Sequence, residues 1–121
     1  MYNPCLNSLG LIFFIPLISN SIKGIISTFV IFNGCLCHGS QYIDYKYKEV
    51  LTNYDIVCNT IFGAFILYSE KENKLLIITV ECISVLSFGL NRAFFKSSPI
   101  IHVFGVQLPL FIVLYNYSEE L

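Results

Sequence analysis

The sequence predicts an all-α, polytopic transmembrane bundle of about five helices, or four if its first apolar segment is re-entrant. Three observations predict it. Only 12% of the 121 residues are charged and 55% are hydrophobic, whereas soluble domains carry roughly 25% charged residues. The mean hydropathy is +0.69. The apolar residues also gather into segments of near-spanning length, separated by short polar turns. A soluble chain of this size would bury only about two-thirds of its surface. The apolar excess would then face water, where a bilayer would cover it with acyl chains.

A helix needs about 20 residues to cross the hydrocarbon, and ~17 suffice when its flanks sit in the interface. By that measure the first helix spans 5–21, with Pro16 inside it and Asn20-Ser21 at its exit. Proline is tolerated there when neighbours satisfy the freed carbonyl. The apolar run Leu9 to Ile18 resembles a secretory signal but lacks a basic leader and a clean cleavage site, so it reads as part of the mature protein. The second helix spans 24–38, interrupted by Ser27, Asn33 and Gly34. The connection before it is so short that two spanning segments must form a tight antiparallel hairpin.

Gly39 to Asn53 is the longest polar stretch, with Asp44, Lys46, Lys48 and Glu49 among Tyr42, Tyr45 and Tyr47. Tyrosine favours the headgroup level, so this stretch reads as an interfacial loop. The third helix spans 54–69 and the fourth 74–90, joined by a polar turn at Ser69 to Asn73. Asn91 to Ser98 closes the next hairpin. Pro99 suits the first turn of a fifth helix, 99–115, and Glu119-Glu120 mark a polar tail. Residues 1–121 thus form a single transmembrane domain without internal repeats. Five crossings place Lys46, Lys48, Arg92 and Lys96 on the side of the N-terminus and Lys23, Lys71 and Lys74 on the other. Four against three sets no orientation under the positive-inside rule.

The formal net charge is -1 and no basic run is present, which argues against nucleic acid as a partner. The expected partners are the lipid bilayer and other membrane subunits. Cys5, Cys35, Cys37, Cys58 and Cys82 lie in or beside apolar segments, where cysteine acts as a small hydrophobe. Cys35-x-Cys37 points its thiols to different faces of a helix, which disfavours a two-thiol metal site. No phosphate-binding glycine loop, GxSxG or HExxH is present, so nucleotide binding, soluble-type esterase chemistry and zincin proteolysis lack support.

Ionisable side chains within a membrane span cost roughly 2.5–3.5 kcal/mol each at its centre, so each calls for a function or a partner. Threading parity brings His38, Asp55 and His102 to one face of the membrane although they are distant in sequence. Two imidazoles and a carboxylate are a donor set for zinc with an open position for water. The alternative is structural: Asp55 as a helix cap, the histidines as interfacial residues, and Glu81 paired across the bundle. Structural pairing is the favoured expectation. Asn33 and Asn59 are expected in the layer beneath, and Glu81 nearer mid-membrane with Ser84 on its face.

Several stretches resemble the short uncharacterised multi-helix membrane proteins encoded by large DNA viruses and some protists. They are Tyr2-Asn3-Pro4 with Phe13-Phe14-Ile15-Pro16, Asn33 to Gly39, Tyr54-Asp55-Ile56-Val57 and Ile101-His102-Val103-Phe104. More distantly, the order of His38, Asp55 and His102 is similar to the alkaline ceramidase and progestin/adipoQ receptor superfamily of membrane hydrolases. In that superfamily a Ser-x-x-x-His motif, an Asp and a later His-x-x-x-His surround zinc. Here Gly34 stands in the place of the motif serine and Val106 in that of the last histidine. The resemblance implies a degenerate or minimal zinc-dependent lipid hydrolase.

Three functions follow as expectations. The first is a structural or accessory membrane subunit with no cofactor, not an enzyme. The second is the zinc hydrolase, and the third a small channel or transporter component using Glu81. A contiguous polar groove beneath His38 and Asp55 would favour the second, and a polar path through Glu81 to both faces the third.

Overall fold

A computed structural model describes residues 3–43 and 45–118 of the chain, with side chains described outside 40–45. Asp44 and the Glu119-Glu120 tail, read above as loop and tail, lie outside the described residues. The chain is all-helical, with no strand among the described residues. The described residues form five helices, α1 (Pro4–Leu17), α2 (Ile22–Ile43), α3 (Lys48–Ser69), α4 (Lys74–Phe94) and α5 (Pro99–Asn116). Spans in α2, α3, α4 and α5 are long and apolar enough to cross a membrane.

The first apolar segment is not such a helix. It opens with one α-turn, Pro4–Asn7, capped by the Asn3 side chain, which accepts the Leu6 N–H. It then winds as a tight 3-10 helix over Leu9–Leu17. Pro16 cannot donate to the carbonyl one α-turn earlier, which removes a bond an α-helix would need here. At ~2.0 Å per residue the nine-residue 3-10 stretch is about 18 Å long. Even with its opening turn it falls short of the ~30 Å hydrocarbon.

The stretch 39–53 is not the long loop its polarity suggests. α2 continues to Ile43, a single turn Tyr45–Tyr47 follows, and α3 begins at Lys48, ahead of the expected Tyr54. Polarity here marks where the helices leave the apolar layer, not where they end. Lysine and glutamate are good helix formers, and Glu49 suits the positive N-terminal end of α3. By the same logic α4 runs past Leu90 to Phe94, with Arg92 in its last turn.

The chain reverses after α4 through Lys96 (φ 52°) and Ser97 (φ 56°), both in the left-handed region. Asn91 holds the reversal, since its Nδ2 donates to the Ser98 carbonyl (3.1 Å) and its Oδ1 accepts the Ser98 N–H (2.8 Å). α5 then loosens into a π-turn over His102–Gln107, where the Leu108 N–H reaches back to the Val103 carbonyl. Pro109 follows and has no N–H to offer the Gly105 carbonyl. Gly105 also lets the π-turn lie close to Ser87 of α4; a Cβ there would come within 2.9 Å of the Ser87 Cβ.

Two ends of the bundle can be distinguished. At one, Asn7 of α1 meets the start of α5, accepting from Gln107 Nε2 (2.8 Å) and donating to the Ser97 carbonyl (3.3 Å). His38 and the start of α3 lie there too. At the other end Lys23 Nζ donates to the Tyr115 carbonyl (3.0 Å) and Asn73 Nδ2 to the Asn116 carbonyl (3.0 Å). The buried core gathers towards this second end: Phe14, Ile66, Ile77, Val113, Leu114 and Tyr117 pack together, and the Tyr117 hydroxyl lies 2.6 Å from Ser69 Oγ.

The outer surface is inverted relative to a water-soluble bundle. Val50, Tyr54, Val57, Ile61, Phe65 and Tyr68 all face outward on α3, a stripe at three- and four-residue spacing. Leu75, Ile78, Val85, Leu86 and Leu90 do the same on α4. Only 6% of the α3 span is buried inside the chain.

Candidate functional site

His38 comes from α2 and His102 from the first turn of α5, and their rings meet edge-on with centroids 5.4 Å apart at 81°. They line an outer cavity of about 590 Å³ at the Asn7 end, with Asp55, Cys37, Lys48 and Arg92 also on its wall. Cys37 Sγ contacts Thr52 Oγ1 at 3.7 Å, tying α2 to α3 beside the histidines. The three residues that threading placed at one face therefore share one cavity.

The details differ from expectation. Asp55 is not an N-cap, because α3 starts two turns earlier, and His38 does not end α2. Asp55 Oδ1 is buried and accepts no hydrogen bond. Asn59, one turn on, presents its side chain to the Asp55 carboxyl. Among the described residues no group of three His, Cys, Asp or Glu side chains converges as a metal site.

A second, inner cavity of about 480 Å³ lies further along the bundle, as open to the outside as the first, and shares Asp55, Ile56, Phe88 and His102 with the outer one. Its wall is mostly apolar, yet Asn59, Glu81, Ser84 and Gln107 open onto it. Glu81 lies against Gly63 of α3, where a Cβ would stand 3.3 Å from its Oε1. Ser84, one turn from Glu81, is spent on the backbone: its Oγ donates to the Val106 carbonyl (3.1 Å) in the π-turn of α5. Asn33 is buried one residue from Gly34 of the cavity wall, and no hydrogen bond of standard geometry reaches its amide.

The sequence reading missed Gln107 and Asn7. Gln107 was visible as a lone amide in an apolar helix, the kind of residue that needs a partner in lipid. Its partner, the carbonyl of Asn7, is 100 positions away and carries no signal in a single sequence.

No family model, curated protein or solved structure matches the chain.

Proposed function

We propose that the chain is a multi-pass membrane protein with an accessory role, a small bundle that packs against other membrane subunits. The observation that carries this reading is the inverted surface. Helices of spanning length turn apolar stripes outward and keep Asp55, Asn59, Glu81 and Gln107 inside. In water that arrangement would be penalised on both counts, whereas in lipid it is the favoured one. The sparse burial of α3 supports the packing role, because association in lipid rests on close van der Waals fit that α3 lacks within its own chain.

Alkaline carbonate extraction should leave the protein in the membrane pellet, and release into the soluble fraction would overturn the architecture. In mild detergent the native protein should migrate in an assembly larger than its own 13.8 kDa chain with bound detergent. Migration as a lone chain would remove the accessory role while leaving the membrane reading intact.

The pairing of His38 with His102 at the wall of the outer cavity favours a second reading, a zinc-dependent membrane hydrolase. Two imidazoles supply half of a tetrahedral donor set; Asp55 would have to move to become the third ligand, with the fourth position left to water. Elemental analysis of purified protein should show stoichiometric zinc, lost in His38→Ala, if this reading holds. A conducting pore has less support. The polar groups that line the inner cavity end at Glu81, about 10 Å from the start of α4, and beyond it Ile66, Ile77, Val113 and Tyr117 pack together in the core.

A further inference from the structure

The inner cavity has a chemical sign. The buried polar atoms on its wall that lack a partner are Asp55 Oδ1, Asn59 Oδ1, Glu81 Oε1 and Gln107 Oε1. All four are acceptors. The orientation of the two amides follows from their neighbours. Gln107 must turn its NH2 to the Asn7 carbonyl, and Asn59 gains by turning its own towards the Asp55 carboxyl, so each leaves its oxygen over. Gln107 is only 5% exposed, so bulk water does not satisfy it. No lysine or arginine lines this cavity among the described residues, whereas Lys46, Lys48 and Arg92 line the outer one.

The rest of the wall is apolar. Leu11, Phe14, Val30, Leu67, Val85 and Leu110 surround the acceptors. About 480 Å³ falls within the size of pockets that take small organic molecules, which are typically apolar with a few convergent polar groups. A ligand matched to this wall brings hydrogen-bond donors, positive charge and an apolar body.

We propose that the inner cavity is a binding site for a hydrophobic amine, whose ammonium group sits against the Glu81 carboxyl while its apolar body lies among Phe14, Phe88 and Leu110. An ammonium carries three donors and no acceptor, the complement of the unpaired atoms on the wall. Away from bulk water, an opposite charge beside a carboxylate interacts more strongly than at a surface. Gly63 carries no side chain to crowd the Glu81 carboxyl, whereas a Cβ there would come within 3.3 Å of its Oε1. α3 meets α4 only sparingly, so entry from the lipid side avoids the basic wall of the outer cavity. This site is independent of which subunits the bundle packs against.

The test uses the full chain purified in detergent, with 4-phenylbutylamine and its neutral isostere 4-phenylbutan-1-ol as probes, measured by calorimetry at neutral pH. The amine should bind at least about ten-fold more tightly than the alcohol, the scale of one charge-assisted contact. Glu81→Gln should keep the alcohol affinity, which reports an intact cavity, and lose the preference for amine. Should Glu81→Gln fail to fold, Gly63→Ala provides the reading, since its methyl crowds the carboxyl and should weaken amine binding several-fold with less effect on the alcohol. Equal affinities for the two probes, a ten-fold preference that survives in Glu81→Gln, or a preference left undiminished in Gly63→Ala, would overturn the proposal. So would a preference abolished by Asp55→Asn and untouched by Glu81→Gln.

Discussion

Replacing Glu70 with alanine should destabilise the bundle by roughly 3 kcal/mol, the worth of one or two hydrogen bonds to a charged group. Glu70 ends α3, and its side chain is folded back under the chain to 1% exposure, shallow but covered. Its Oε1 accepts the N–H groups of Asn73 (2.9 Å) and Glu72 (3.2 Å) at the entry to α4, and its Oε2 accepts the N–H of Ser118 (2.8 Å). One carboxylate thus joins the α3–α4 turn to the end of the chain. With alanine these donors lose their acceptor, and the Ser69–Tyr117 contact beside them loosens as well. Thermal unfolding in detergent should show the loss, and a change within about 0.5 kcal/mol, the range of an ordinary surface substitution, would contradict it.

The same geometry sets a pH dependence. Burial works to raise the Glu70 carboxyl, but the N–H groups of Ser118, Asn73 and Glu72 outweigh it and hold the group below its ordinary value of 4.5. A carboxyl lowered in the folded state contributes stability that is complete above the unfolded value and fades as pH falls through the folded one. The difference between wild type and Glu70→Gln should therefore be constant from neutral pH down to about 5 and shrink below ~4.5. A difference that grows on acidification would reverse the sign of the argument.

How far the sequence predicts this structure depends on the range of each interaction. The number and order of the helices were legible, because hydropathy over some twenty residues reflects a single local requirement. Helix ends near 39–53 and at Leu90 were misplaced, because polarity reports the edge of the apolar layer while lysine, glutamate and arginine continue a helix through it. The 3-10 winding of Leu9–Leu17 was hidden for a different reason: Pro16 announces a disturbance but not its form. At the site, threading parity alone brought His38, Asp55 and His102 to one cavity, since the direction of each helix follows from the count before it. Which of them touch was not legible. The histidine pair and the bond from Gln107 to Asn7 depend on rotation about helix axes, which one sequence leaves open. Glu70 read as one residue of a polar turn, and its role appears only when the chain end folds back over it.

Gly24→Ala should cost about 3 kcal/mol or more, beyond the ordinary range for an overpacked side chain, because backbone stands in the way. The turn between α1 and α2 is as tight as the sequence requires. Ser19 and Ser21 share a hydrogen bond at 2.7 Å, and the Gly24 N–H is taken by Ser21 Oγ at 3.2 Å. A Cβ on Gly24 would fall on the backbone nitrogen, the hydroxyl and the carbonyl of Ser19. Backbone cannot rotate away as a side chain tip can, so the whole turn must shift. That shift moves Lys23, whose Nζ holds the Tyr115 carbonyl, and it strains the seat of Phe14 against Phe111, now edge-on at 6.1 Å. Gly89 supplies the contrast, since it lies inside α4 and a Cβ there meets nothing within 4 Å. Gly89→Ala should stabilise by about 0.5–1 kcal/mol through helix propensity alone. The two substitutions add the same methyl group and should move the unfolding midpoint in opposite directions. If both stabilise, the close approach of α1 to α2 is wrong and the hairpin must open wider than described.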